Sequence, residues 1–308
     1  WTGDVNHILG ERDQLHLYYA IQRDRRGEPA LQGNTIPGFG DTRRSRRQIF
    51  TLNETRTISS NIVNEARLGF NRIFFNIKPN AQLNPADFGI VNGIKQPIGL
   101  TQITVTGFNL NFGGPNGTPQ GRGDMTAVAS DTLSYLRGRH SFKFGGEYRR
   151  FYNNNFAQTV GSFGFASISD FLNGQANLFT ATLGNQSSSI IQQALGGFAQ
   201  DSFKLKPNFT LELGLRYDWL MSPSERYNRL VVFDPATNSL NRVGAGIDEI
   251  YQDNHAVQPR VGLAWDPFKD GKTSIRAGYA ILADQPVTNL IIGTSTNPPI
   301  ANPRRFSP

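Results

Sequence analysis

Cysteine is absent from this chain, so neither a disulfide framework nor a thiolate metal site is available, and the redox compartment stays open. Histidine is scarce. His7, His16, His140 and His255 are scattered, and none stands at metal-ligand spacing with a carboxylate. No G-x-S-x-G, H-E-x-x-H or P-loop pattern occurs, so no catalytic residue, no metal and no cofactor is expected. Long apolar runs are missing too: nothing approaches the roughly 18–20 residues that a membrane helix needs. With 38% hydrophobic residues and a mean hydropathy of −0.40, a helical membrane protein is excluded. A transmembrane β-barrel is not, because its strands carry apolar residues only at every second position. The chain opens at Trp1-Thr2-Gly3 without an initiating Met or a basic leader, which reads as mature, trimmed or truncated.

What is present points to strands and turns: 32 Gly, 17 Pro and 22 Phe. In His140–Arg150, the residues His140, Phe142, Phe144, Gly146 and Tyr148 alternate with Ser141, Lys143, Gly145, Glu147 and Arg149. Phe209–Trp219 repeats the pattern, with Phe209, Leu211, Leu213, Leu215, Tyr217 and Trp219 against Thr210, Glu212, Gly214, Arg216 and Asp218. Period-two alternation makes each a two-faced strand, apolar on one side and ionic on the other. About ten such strands are expected, the others near 1–8, 15–22, 48–58, 62–76, 126–136, 189–204, 256–266 and 273–282. A short strand within Gly161–Phe165 and one helical turn over Ser167–Asn173 are expected between them.

The connections alternate in length. Short turns fall near residues 10, 60, 138, 207 and 269, and long polar stretches near 35, 100, 170, 238 and 296. In an up-and-down meander this puts every short turn at one end of the sheet and every long loop at the other, as in outer-membrane barrels. Soluble sandwiches mix their connections through Greek keys. The fold class expected is therefore all-β, an antiparallel up-and-down transmembrane β-barrel with short periplasmic turns and long extracellular loops.

Magnitude orients the strands. A Lys or Arg on the lipid face at the bilayer midplane costs about 2–4 kcal/mol. Turning the strands over would place Lys143, Arg149, Arg216, Arg260 and Arg276 in hydrocarbon, a penalty comparable with a whole domain's stability of about 5–15 kcal/mol. The expected lumen-facing residues are therefore Glu65, Arg67, Lys143, Glu147, Arg149, Glu212, Arg216, Arg260 and Arg276. Aromatic residues gather where strands leave the apolar band, at Phe151 and Tyr152, Phe203, Tyr217 and Trp219, and Trp265 and Phe268, as in an interface girdle. His140 reads as an interfacial residue rather than a base. The net charge is +7. Its densest cluster sets Arg23, Arg25 and Arg26 against Arg43, Arg44, Arg46 and Arg47 across one expected extracellular loop, either a solvated surface or a site for lipopolysaccharide phosphates or another anion. Arg122-Gly123-Asp124 falls in an expected Gly-rich loop and carries no assignment.

With these residues laid out, the chain resembles the β-barrel of TonB-dependent outer-membrane receptors, most closely the Oar-like group. The resemblance rests on RGRHSFKFGGEYRR (137–150), FAQDSFKLKPNFTLELGLRYDW (198–219) and QPRVGLAWDPFKDGKTSIRAGYAI (258–281), and VNHILGERDQLHLYY (5–19) and NIVNEARLGFNR (61–72) fit the same barrel pattern. It implies that residues 1–308 are a partial receptor barrel without plug or TonB box, part of a larger barrel of 22 strands. It also implies uptake of an unidentified ligand, with outer-membrane lipid, a plug domain and TonB as partners and no nucleic acid. A passive pore or adhesion barrel, and a soluble β-rich glycan-binding protein or hydrolase, are the alternatives.

Overall fold

The computed structural model describes residues 1–30, 34–91, 99–114 and 117–308. Ten strands follow one another in a continuous antiparallel sheet in chain order. They are β1 (Thr2–Ile8), β2 (Asp13–Glu28), β3 (Asp41–Ser59), β4 (Ile62–Pro79), β5 (Gln120–Arg137), β6 (His140–Ala157), β7 (Ser188–Lys206), β8 (Phe209–Leu220), β9 (Asn254–Trp265) and β10 (Ile275–Ala280). β1 and β10 are the two edges, and the short strand Ser224–Glu225 pairs with β7 off the main path. The expected meander and its rhythm of turns and loops are both present. The turns have local causes. Gly138 takes φ 60° between β5 and β6. Between β9 and β10 the Asp266 carboxylate accepts from the backbone N–H of Phe268, Lys269 and Gly271 at 3.2, 2.8 and 2.9 Å.

Six of the wall strands are longer than expected. β3 and β7 have 19 residues each, β4, β5 and β6 have 18, and β2 has 16. A tilted strand crosses a bilayer in about 9–11 residues. Since β2 to β7 are joined by short turns at one end, the surplus projects at the loop end. Two expectations are corrected here. The stretch from Arg23 to about Arg46 is not loop throughout: Arg23, Arg25 and Arg26 lie on β2, and Arg43, Arg44, Arg46 and Arg47 on β3. Arg122-Gly123-Asp124 lies on β5, not in a loop. Beyond the bilayer the ladder of backbone hydrogen bonds continues while apolar alternation stops, so periodicity loses the strand before the strand ends.

Register defines two faces. Phe144, Ala199, Leu215 and Pro259 stand in one row on the apolar face. Glu147, Gly196 and Asp218 stand in one row on the ionic face. Apart from Gly121, every buried residue of the ten strands lies on the ionic face, among them Ile77, Asn153, Ile190, Gln192, Asp218 and Gln258. The apolar face is bare: Leu68, Leu195, Leu213, Leu215, Val257 and Val261 are 45–58% exposed. A water-soluble protein does not leave so broad an apolar surface open. Small residues opposite large ones close-pack the ionic face. A Cβ on Gly145 would come within 2.4 Å of the Phe198 ring, which lies across it.

The long connections form a shell of their own. Strands Ala301–Phe306, Leu178–Gly184, Ser162–Phe165, Gln102–Val105 and Leu110–Phe112 pair in that order into a second sheet. Ile103, Val105 and Phe165 form its core, with Phe112, Phe163 and Phe171 packed around them. The expected helical turn is present at Ile168–Leu172, and the Ser167 hydroxyl caps it by accepting from the Asp170 N–H at 3.1 Å. A second cluster joins shell to wall: Ile190 of β7 is covered by Leu230 and Ile291. The connection 221–253 is clamped at its base by Asp253, which accepts from the Ser222 N–H at 2.7 Å and the Trp219 indole at 2.6 Å. These donors, the Ser222 amide first, hold the Asp253 carboxyl below the usual aspartate value.

Two outcomes follow. Gly145→Val must displace the Phe198 ring and is expected to lower stability by about 1–3 kcal/mol, with partial recovery in Gly145→Val/Phe198→Ala, measured by urea unfolding in detergent. A depressed carboxylate stabilises above its unfolded pKa, and that contribution disappears as pH falls through the folded value. Protection of the Ser222 amide against hydrogen exchange, corrected for intrinsic rate, is therefore expected to hold from neutral pH to the ordinary aspartate range and collapse below it. Asp253→Asn is expected to show no such step.

Candidate functional site

The densest ionic cluster on the covered face sits where β6, β7, β8 and β9 adjoin. Arg149 Nε is 2.8 Å from Glu147 Oε1, and Arg216 Nη2 is 3.5 Å from the same oxygen. The Arg216 fork also reaches Asp218, with Nε donating to Oδ2 at 2.8 Å and Nη2 lying 2.7 Å from Oδ1. The Gln258 amide donates to Asp218, and its Oε1 accepts from the Ala283 N–H at 3.0 Å. Asp218 and Gln258 are 4% and 3% exposed. Burial at this level costs desolvation, which the charge-assisted contacts along the chain Arg149–Glu147–Arg216–Asp218–Gln258 offset.

Gly196 makes the cluster possible. It stands between Glu147 and Asp218 in the row, and a Cβ there would lie 2.1 Å from Asp218 Oδ1 and 2.6 Å from Arg216 Nη2. Glu147, Arg149 and Arg216 were expected on this face. Asp218, Gln258 and Gly196 were not singled out, and no local pattern marks them, because three different strands bring them together. The one available signal was Asp218 on the ionic side of β8, two residues from Arg216.

The remaining expected residues share the face but not the cluster. Glu65 and Arg67 pair at 2.9 Å on the solvent-exposed part of β4, a contact contributing about 0–1 kcal/mol. Glu212, Arg260 and Arg276 border one depression at the turn end of β8–β10. The stem of Arg260 lies across Gly214, where a Cβ would meet Arg260 Cγ at 2.7 Å. Lys143 stands between Ser134 and Gln200. Among the described residues no group of three histidines or carboxylates could hold a metal ion.

Besides Asp13 and Glu54, the apolar face holds two carboxylates that pattern alone did not place. Asp201 interrupts the alternation of β7; its Oδ2 is 2.7 Å from His140 Nδ1, and His140 is stacked on Phe203 at 4.2 Å and Phe142 at 5.2 Å. Asp131 accepts from the Asn64 amide at 2.9 and 3.1 Å. Both lie toward the turn end of the wall, with His140 among rings as its interfacial reading requires. At the loop end, Tyr217 and Trp219 flank His255, and the Tyr217 hydroxyl is 2.6 Å from His255 Nδ1. Phe151, expected in the same girdle, stands on the ionic face instead.

The seven clustered arginines divide by face. Register pairs Arg23 with Arg46 and Arg25 with Arg44 on the apolar side, and Arg26 with Arg43 on the ionic side, where Arg47 also lies. Arg26 pairs with Glu28, and Arg43 lies 3.0 Å from Asp41.

Residues 1–308 match the family model described as outer membrane beta barrel domain. No curated protein sequence matches the chain. Three solved structures share the fold at low identity. The outer membrane transporter YddB from Escherichia coli is 13% identical with a TM-score of 0.53, over 91% of this chain and 31% of its own. FpvA of P. aeruginosa, solved bound to heterologous pyoverdines, is 13% identical with a TM-score of 0.51, over 90% and 34%. The siderophore receptor PiuA from Acinetobacter baumannii is 12% identical with a TM-score of 0.51, over 91% and 41%. The chain thus spans less than half the length of each. An antiparallel meander bare on its apolar face, short turns opposite long loops, and a family match along its whole length agree: the chain belongs to the outer membrane beta barrel domain family, and its place is the bacterial outer membrane.

Proposed function

We propose that this chain forms part of the wall of a TonB-dependent receptor that takes up a scarce ligand across the outer membrane. The observation that carries the reading is the asymmetry of burial: the buried residues of the wall, Gly121 apart, lie on the ionic face, and the long connections fold over the loop end of that face through Ile190, Leu230 and Ile291. In a barrel the covered face is the lumen. Glu65, Arg67, Lys143, Glu147, Arg149, Glu212, Arg216, Arg260 and Arg276 then line the interior, and the shell of connections captures ligand on the outside.

Edges complete the argument. β1 and β10 each present an unpaired row of backbone groups, which hydrocarbon does not tolerate. In this reading further strands satisfy them, rather than closure of β1 on β10 into a smaller pore, and the ten described here act as part of a larger barrel. Transport in that barrel is active, with a plug domain in the lumen receiving energy from TonB. The solved neighbours described as a transporter and a siderophore receptor support the same reading at the level of fold. A passive pore built from this wall would need an open lumen, and the loop shell over the ionic face argues against one.

Uptake by cells expressing the full-length protein should cease when tonB is deleted; uptake that persists would establish the passive pore. Orientation has its own check, helped by the lack of native cysteine in residues 1–308. Lys143→Cys is expected to react with a hydrophilic maleimide and Leu215→Cys only with a lipophilic one. Equal labelling by the hydrophilic reagent would reject the assignment of faces. Leu215→Arg, at mid-height on the apolar face, is expected to cost about 2–4 kcal/mol and to reduce the heat-modifiable folded band on gels.

A further inference from the structure

The clustered arginines at the loop end of the apolar face have no counter-charge among the described residues. Arg23 stands opposite Arg46, Arg25 opposite Arg44, and Arg72 of β4 joins them across the row of Ile21 and Gln48. Together with Phe74 these five arginines line one depression on the outer surface of the wall. Among the described residues none of the five makes an ion pair with a carboxylate. The carboxylates of β1–β4 on this face, Asp13 and Glu54, stand at the turn end. Asp24 also borders the depression, but its carboxylate points to the ionic face, where Gln22 and Ser45 hold it at 3.2 and 3.0 Å.

Like charges directly opposite one another destabilise a sheet unless an anion lies between them. The position of the cluster says which anion. Ile21 and Phe70 belong to the apolar band, and Arg23 and Arg72 each lie two residues farther along the same face. At about 3.4 Å per residue the first guanidinium groups emerge within about 7 Å of the hydrocarbon edge, at headgroup level. Phe74 lies among them with 40% of its surface exposed, offering an apolar contact beside the charges. A planar guanidinium matches phosphate oxygens two at a time, better than a lysine ammonium does.

We infer that Arg23, Arg25, Arg44, Arg46 and Arg72 bind the phosphate groups of a lipid of the outer leaflet, of the phosphorylated glycolipid class to which lipopolysaccharide belongs. The site assigns different work to the two halves of the cluster. Arg26 and Arg43, already paired with Glu28 and Asp41 on the other face, take no part. Occupancy at once relieves the repulsion between Arg23 and Arg46 and fixes how deep this side of the wall sits in the membrane. The inference rests on the proposed assignment of the apolar face to lipid.

The test uses the full-length protein purified from outer membranes in mild detergent, with lipopolysaccharide as probe, and counts retained glycolipid by native mass spectrometry. Replacing Arg23, Arg25, Arg44, Arg46 and Arg72 together with Gln is expected to reduce retention at least tenfold, with Arg46→Gln and Arg72→Gln alone giving graded losses should the combined variant fail to fold. Arg26→Gln/Arg43→Gln is expected to leave retention unchanged. Inorganic phosphate at millimolar concentration is expected not to displace the glycolipid; displacement would overturn the inference in favour of a free-anion site. Retention unaffected by the single and combined outer variants would overturn it outright. Loss confined to the Arg26/Arg43 variant would show instead that the faces are reversed, and so separates failure of the orientation from failure of the site.

Discussion

A backbone in hydrocarbon has no water to satisfy it, and this constraint organises the whole structure. Every peptide group in the membrane must find its partner on a neighbouring strand, so the chain runs up and down in order, each of the ten strands bonded to the one before it. Antiparallel neighbours need only tight turns, and the turns at 60–61, 138–139 and 207–208 are as short as a hairpin allows. The opposite ends of the strands are free of the bilayer, and there the chain spends its length in loops. The edges of β1 and β10 are the two places where that ladder stays open among the described residues.

Once the ladder is formed, side chains divide by parity, and the two faces meet different solvents. On one face Phe144, Leu213, Leu215 and Val261 need only lipid, so no protein covers them. On the other, charges must be paired within a confined space. Gly196 leaves room for the Arg216–Asp218 fork, Gly145 for the Phe198 ring and Gly214 for the stem of Arg260. The covered face is thus packed by glycine opposite bulk rather than by a conventional apolar core. The apolar core that does exist lies outside the wall, in the aromatic cluster of the loop sheet and in the Ile190–Leu230–Ile291 contact that seats the shell.

Much of this was legible beforehand. Alternation at His140–Arg150 and Phe209–Trp219 marked the strands, and the parity of Lys143, Glu147, Arg149 and Arg216 put them on one face, as register confirms. Most of the misses share a cause. Beyond the bilayer a strand alternates polar with polar, so the outer parts of β2, β3 and β5 were read as loop, and Arg122-Gly123-Asp124 with them. Asp201 weakened the alternation of β7 because its carboxylate relies on a histidine 61 residues away.

Sequence by itself determined the fold class, the order of strands and the parity of side chains within the apolar band, because period two and turn chemistry are local properties. Tertiary structure alone decided which charges meet. Asp218 reaches Gln258 only through the pairing of β8 with β9, and Arg23 and Arg25 face Arg46 and Arg44 rather than solvent on the far side because of one register between β2 and β3. A shift of that register by a single residue would exchange the two halves of the arginine cluster between lipid and lumen. Register is a property of paired strands, and no stretch of either strand carries it alone.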